Sequence, residues 1–356
     1  MRVGINAFFL GQEGTGSGQY TAELLCALRQ ISSEHGYLCL SPPEGRRGRN
    51  LEKVWFEQVS YPRECRHLAV DVAHVPYFAP PLRPTVPTVV TIHDVIPLIL
   101  PEYRGSPLVR MYMRLVSAAA HQAQMVLTDS EASKRDIVRA LGIDSERVRV
   151  VYLAAGKRYR PVKDKAILED VRVRYGLPDV YILYLGGFDP RKNVNILLRS
   201  YSQLADAPPL VIAGRLPERG SAMALDPRPL AKDLGIDGQV RFIGWVSEED
   251  KPALYTAAWC FVFPSLYEGF GLPPLEAMAC GTPVIASDSS SLPEVIGDGG
   301  LLVNSTSAAQ LAEALGALCA NPQLRAELAV RALARAAQFS WAKTATETLA
   351  VYEAVV

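Results

Sequence analysis

The pattern that most restricts the fold is an alternation, run through twice, of short apolar stretches and longer segments of helical period. In the first half, apolar runs at 2–7, 37–40, 70–74, 88–92, 125–128 and 148–151 read as strands, with helical segments between them at 18–32, 107–122 and 130–141. Strands that are apolar throughout and separated by helices mark βαβ units and a parallel sheet covered on both faces. Ser130 suits a helix cap, Glu131 the positive end of that helix, and Gly142 its stop. A second series begins near 180. It places strands at 180–185, 210–213, 240–242, 260–263, 283–286 and 300–302, and helices at 193–204, 228–234, 248–257, 274–280 and 308–319.

Two such series predict an α/β protein of two Rossmann-like, doubly wound lobes rather than one long sheet. A length of 356 residues also exceeds what a single core usually supports. The expected lobes are 1–158 and 159–340, joined within 153–180, followed by a helix over 341–356 that can pack back on the first lobe.

Composition narrows the function classes. Lysine plus arginine equals aspartate plus glutamate, 37 against 37, which gives no support to nucleic-acid binding. The six cysteines form no C-x-x-C pair and read as buried, reduced thiols. Residues 1–10 lack the longer apolar core of a signal peptide. The greasiest stretch, 86–101, is interrupted by His93, Asp94 and three prolines, too short and broken to span a bilayer. A cytoplasmic protein is the expectation.

The run most informative for function is Pro264-Ser-Leu-Tyr-Glu268-Gly269-Phe270-Gly271-Leu272-Pro273-Pro274-Leu275-Glu276-Ala-Met-Ala-Cys-Gly281. It lies between an expected strand and helix, where open α/β sheets bind ligands. Gly269 and Gly271 let backbone amides approach an anion, and the two prolines suit a helix's first turn, whose free amides favour phosphate. Glu268 in the loop and Glu276 in the helix can flank one ligand, since carboxylates accept paired hydrogen bonds from a diol. A second strand–turn–helix stretch, Leu185-Gly186-Gly187-Phe188-Asp189-Pro190-Arg191-Lys192-Asn193, sets two cations side by side, which suits a diphosphate.

Glu268 and Glu276, eight apart within E-G-F-G-L-P-P-L-E, resemble the E-x(7)-E motif of glycosyltransferase family four, retaining enzymes of the two-lobed GT-B fold. The following Ala-Cys-Gly-Thr-Pro-Val-Ile-Ala and Ser-Leu-Pro-Glu-Val-Ile are similar to that family as well. The resemblance implies a nucleoside diphosphate sugar as donor substrate, two lobes facing a central cleft, no cofactor and no metal. It gives Lys192 the neutralisation of the leaving diphosphate and places Gly187, Phe270, Gly271, Leu272 and Glu276 at the donor. Many members carry an arginine where this chain has Gly187, so Arg191 either takes that work or flanks it. Gly16 and Gly18, in Gly14-Thr-Gly-Ser-Gly-Gln-Tyr20, are by the same resemblance the contacts of a loop closing over the donor; alone they are a weak signal, because Gln19 breaks the dinucleotide fingerprint. His93 ends a buried strand, and in similar enzymes a histidine there contacts a donor-sugar hydroxyl or helps position the acceptor. Asp94 reads as a loop cap.

The expected reaction is transfer of a sugar, with retained configuration, from donor to an acceptor hydroxyl in polysaccharide or glycolipid assembly. Catalysis rests on His93, Lys192, Arg191 and Glu268. The Phe-Asp-Pro-Arg-Lys-Asn turn and His93-Asp94-Val-Ile-Pro look most like bacterial mannosyltransferases, which makes GDP-mannose the first choice of donor. A sugar-nucleotide epimerase, a phosphorylase or a non-catalytic nucleotide-sugar-binding protein are the alternatives. Arg46, Arg47 and Arg49, with Arg104, Arg110 and Arg114 around an apolar helix, read either as solvated residues or as a face for a lipid-linked acceptor and peripheral contact with an anionic membrane.

Overall fold

The structure, a computed structural model, describes residues 1–12, 15–42, 50–217 and 223–356. The chain forms two compact units, Met1–Leu153 with Ser340–Val356, and Ala154–Phe339. Each holds one six-stranded sheet in which every pairing is parallel.

The first sheet runs β2-β1-β3-β4-β5-β6, with β1 Arg2–Asn6, β2 Gly36–Leu40, β3 Val72–Val75, β4 Thr88–Thr91, β5 Met125–Thr128 and β6 Val148–Val150. Inner strands β3 and β4 are buried at every residue, whereas edge strand β2 is largely open to water. Helices cover both faces of a parallel sheet, so its centre must be apolar on both sides. The helix Glu131–Leu141 begins with the Ser130 hydroxyl accepting the Ser133 amide and ends at Gly142 in the left-handed conformation, φ 67°.

The second sheet runs β12-β11-β10-β7-β8-β9, with β7 Ile182–Leu185, β8 Leu210–Ala213, β9 Val240–Gly244, β10 Cys260–Phe263, β11 Val284–Ser287 and β12 Leu301–Val303. The chain builds outward from β7 through β9, then returns to the other side of β7 with β10. That reversal puts the loops after β7 and β10 side by side, and these are the two stretches of the second unit singled out from sequence.

All twelve expected strands are present, three of them to the residue and the others with ends moved by at most two residues. Helices differ more. The stretch expected to join the lobes carries the helix Lys165–Arg174, whose Arg174 bonds Asp250 at 2.8 Å, and Pro322–Ala336 is a further helix the periodicity did not suggest. Its start is nevertheless written locally: Asn321 accepts the Gln323 and Leu324 amides, and Pro322 opens the first turn. Residues 50–67 form two short helices around a π-helical turn, Phe56–Ser60. The cysteines also depart from expectation: Cys65, Cys260 and Cys280 are buried, but Cys26 and Cys39 are exposed.

The closing helix, Trp341–Val355, belongs to the first unit. Thr344 donates to the Tyr152 carbonyl at 2.7 Å, and the Tyr352 hydroxyl meets His74 Nδ1 at 2.6 Å. Burial pushes His74 down to about 3, with the His93 charge acting in the same direction, so the ring is a neutral structural bridge between Tyr352 and Thr91.

Candidate active site

In the second unit, β7 delivers a glycine turn, a tight turn over Pro190–Lys192, and Asn193 in the left-handed region at φ 56°. Asparagine tolerates that conformation, and its Nδ2 donates to the Pro264 and Ser305 carbonyls at 3.2 and 2.8 Å. One side chain thereby ties the loops after β7, β10 and β12. The Leu266 amide adds a bond to the Arg191 carbonyl at 2.7 Å.

Arg191, Lys192 and Glu268 come together there. Lys192 Nζ donates to Glu268 Oε1 at 2.7 Å and Arg191 Nη1 to Oε2 at 2.8 Å, while Arg191 Nε lies 3.3 Å from Asp189. Burial disfavours the Glu268 charge, but Lys192 and then Arg191 outweigh it and hold the carboxyl below its ordinary value. From sequence the cations were expected at a diphosphate and Glu268 beside the same ligand. In the structure the same groups neutralise one another. Lys192 has three N–H groups and this carboxylate takes one, so an incoming phosphate can share the cation rather than displace Glu268.

A set of serines that sequence reasoning missed fixes this loop. Ser265 donates to Glu268 Oε1, the Glu268 amide donates to Ser290 Oγ at 2.8 Å, and Ser291 Oγ donates to the Glu268 and Phe270 carbonyls at 2.9 and 2.6 Å. Their available signal was position, since each follows a strand end in Phe-Pro-Ser or Ser-Asp-Ser-Ser-Ser. Gly271 stands at φ 120°, and a side chain there would come within 2.8 Å of Leu292. It caps the helix Leu272–Ala279. Phe270 turns its ring against Phe339, 5.9 Å between centroids, so what it can offer a ligand is backbone. At Gly187 an added Cβ would meet the Asp189 carboxylate at 3.3 Å.

Glu276 occupies a different setting. It is 5% exposed and accepts from the Tyr255 hydroxyl at 3.1 Å. Burial is the main cause that raises it to about 7; Lys251 opposes the rise, Glu248 adds to it, and Tyr255 and Tyr159 oppose it through hydrogen bonds.

In the first unit, His93 follows β4. Its Nδ1 lies 2.7 Å from Asp129 Oδ2, its carbonyl accepts from Ser133 Oγ at 3.0 Å, and Tyr20 meets the ring edge-on at 4.8 Å between centroids. Asp94 accepts the Ile96 amide at 3.0 Å, the capping role expected of it. Tyr20 belongs to the helix Gly16–Ile31, so the glycine loop and His93 meet within one unit. Thr15 caps that helix by accepting the Gly18 amide at 3.2 Å. A Cβ at Gly18 would press on the Phe9 carbonyl at 2.6 Å, whereas nothing stands within 4 Å of one at Gly16. Gly18 is therefore demanded by its own loop. Gly14 lies outside the described residues, as do Arg46, Arg47 and Arg49. Arg104, Arg110 and Arg114 are exposed on or beside the helix Pro107–Ala120, which also exposes 73% of Leu108 and 64% of Met111. Among the described residues no helix is long and apolar enough to cross a membrane.

A family model described as glycosyl transferases group 1 matches residues 171–335, and one described as glycosyltransferase family 4 matches residues 16–154. O-antigen chain mannosyltransferase B of Escherichia coli is 34% identical over 280 residues, covering 74% of this chain and 70% of that protein. O-antigen chain mannosyltransferase RfbU of Salmonella typhimurium is 29% identical, covering 84% of this chain and 86% of its own. The serotype-specific mannosyltransferase WbdA of Escherichia coli is 34% identical over 265 residues, but that match spans 32% of its length. Among solved structures, a sucrose-phosphate synthase from Thermosynechococcus elongatus superposes with a TM-score of 0.77 at 22% identity, covering 99% of this chain and 98% of that one. WaaG, a glycosyltransferase involved in lipopolysaccharide biosynthesis, gives 0.72 at 16% identity, covering 99% of each. At those identities the structures speak for the fold, which is GT-B. The chain belongs to the group 1, family four glycosyltransferases.

Proposed function

We propose that this glycosyltransferase moves a mannosyl residue from GDP-mannose to an acceptor hydroxyl during polysaccharide or glycolipid assembly, with retention and without a metal ion. The observation that carries the reading is the cation pair Arg191 and Lys192, fixed by Glu268 where the second sheet reverses. The bond from the sugar's anomeric carbon to the diphosphate breaks, leaving negative charge on a phosphate oxygen and an oxocarbenium-like sugar. Lys192, Arg191 and the amides near Phe270–Leu272 stabilise the growing anion, the work a preorganised electrostatic site does best. A bond then forms from the acceptor oxygen to the same sugar face, and the departing phosphate takes the acceptor's proton. Glu268 stays ionised and holds the cations in register. His93 meets a sugar hydroxyl. Mannose is favoured over other sugars by the mannosyltransferase names of the relatives.

The deciding experiment is a thermal-shift screen of the purified protein with GDP-mannose, other nucleotide sugars and free nucleotides. Each tenfold excess of ligand over its dissociation constant adds about 1.4 kcal/mol of stability, so GDP-mannose should stand above UDP-glucose. Equal shifts for all would remove the donor assignment. Sugar released with no acceptor as a new nucleotide sugar, or only with free phosphate, would convert the reading to an epimerase or a phosphorylase. Transfer should survive EDTA; loss restored by magnesium or manganese would sink the metal-free account. The protein works in the cytoplasm, where nucleotide sugars are made, and visits anionic membrane through the exposed Leu108, Met111, Arg110 and Arg114 face. Each cation near such a surface contributes about 1 kcal/mol before screening, so docking is weak and reversible. Sedimentation with anionic but not neutral vesicles, weakened by salt, is the expected result.

A further inference from the structure

We infer that Asp129 is a positioning residue for His93: its carboxylate fixes the imidazole with the proton on Nδ1 and leaves Nε2 to accept a hydrogen bond from a hydroxyl of the sugar or acceptor. The inference rests on the glycosyl-transfer reading of His93 and extends it to a residue on a different strand.

The geometry supports it on three sides. Asp129 follows β5, the strand beside β4, and its side chain is 4% exposed, with Oδ2 at 2.7 Å from His93 Nδ1. An ionised carboxylate only accepts, so the ring nitrogen facing it carries hydrogen. The backbone of His93 is held by Ser133, a residue of the helix whose cap is Ser130, immediately after Asp129. Tyr20 stands edge-on against the ring and directs its own hydroxyl away, to Thr91 Oγ1 at 3.0 Å. Among the described residues Nε2 is buried and has no hydrogen bond of ordinary geometry, although the Pro76 carbonyl lies near enough to act on the ring. A ring clamped at one nitrogen, with the other buried and unbonded, is arranged to meet something from outside the fold.

Electrostatics set the condition under which Nε2 can accept, since only the neutral ring offers a lone pair there. Burial lowers the His93 value, but Asp129, by charge and by hydrogen bond, then Asp94 and the Pro76 carbonyl, raise it above that of an ordinary histidine. The remaining titratable neighbours, His74 from β3 and Tyr20 from the first helix, are neutral, with His74 held near 3. The His93 charge is thus set chiefly by Asp129.

The test uses the full chain with donor and acceptor. Asp129→Asn keeps the shape and removes the charge. Its turnover should fall by about tenfold to a hundredfold, short of the roughly 10²–10⁴-fold that a whole acid–base group contributes. The Michaelis constant for donor should stay within about threefold. The acidic limb of the pH profile should move to lower pH, because the imidazole loses the charge that favours its proton. Added to His93→Ala, the substitution should cost nothing more, since Asp129 acts through the ring. A full additional loss in that background, or a limb that does not move, overturns the inference while leaving the transferase reading intact. Wild-type turnover in His93→Ala overturns both the inference and the role of His93 on which it rests, again leaving the transferase reading intact. Nitrogen-15 NMR of the wild-type ring needs no variant. It should show hydrogen on Nδ1 and a bare Nε2 at alkaline pH, and the opposite tautomer would dispose of the idea even if the Asn variant failed to fold.

Discussion

Glu268 and Glu276 are the same residue type, eight positions apart, and both are nearly buried, yet their environments push them in opposite directions. Glu268 sits under two cations at the sheet's reversal and is held ionised. Glu276 sits on the helix among Tyr255, Tyr159, Glu248 and Lys251 and is lifted to about 7. Burial acts on both; the neighbours decide the sign. The result is one acid kept charged between cations and another poised to exchange its proton near neutral pH.

The harshest way to break the comparison is Lys192→Ala. Removing one stabiliser of a charged transition state costs about 10²–10³-fold in turnover. The variant also leaves Glu268 with Arg191 as its one cationic partner in the cluster. Turnover within threefold of wild type would move the phosphate role to Arg191.

Glu268→Gln and Glu276→Gln should then separate. The first mainly lowers turnover and, by leaving two crowded cations without their counter-ion, lowers the melting temperature; breaking one partner of a buried pair costs about 3–5 kcal/mol at full burial and less here, where the side chains are 11–16% exposed. A nucleoside diphosphate should recover part of that stability by bringing its own charge. The second mainly raises the Michaelis constant for donor, because a carboxylate held on the helix suits a fixed contact to the donor's ribose. Changes confined to the Michaelis constant in both variants would dissolve the division.

The smallest effect is the most specific to the contrast. Glu276 is raised in the folded state from an ordinary value of 4.5 to about 7, so its stabilising contribution is complete below 4.5 and lost as pH rises through 7. Glu268 is lowered, so its contribution is present above 4.5 and lost as pH falls through its folded value. In melting curves between pH 5 and 8, Glu276→Gln should flatten the decline toward high pH, while Glu268→Gln should leave that part of the slope alone. A decline equally steep in Glu276→Gln and wild type would mean that the helix glutamate ionises normally.

Much of this was legible along the chain. Short apolar runs alternating with helical segments placed the strands, because a parallel sheet covered on both faces leaves its central strands no polar face. Turn chemistry placed loops and helix starts: Gly271 at φ 120° is a position other residues resist, and Ser130 announced a helix that does start there. Sequence-local signals of this kind act within a few residues, where the chain's own sterics and hydrogen bonds are decided. Two helices were not read at all. Lys165–Arg174 and Pro322–Ala336 owe their place partly to packing, of which Arg174 on Asp250 is an example.

What the sequence by itself determined is therefore the architecture, the two glycine-bearing loops after β7 and β10 and the residue types they carry. Tertiary structure alone decided what those residues touch. Asp129 became the partner of His93, 36 positions away, only because β4 and β5 are neighbours. Ser290 and Ser291 came to hold the Glu268 loop because β10 and β11 are neighbours. Arg191 and Lys192, read as cations waiting for a diphosphate, turned out to share Glu268, because the sheet reverses between β7 and β10. Charge, burial and pKa depend on distances through space, and no spacing along the chain carries that information until the strands have chosen their order.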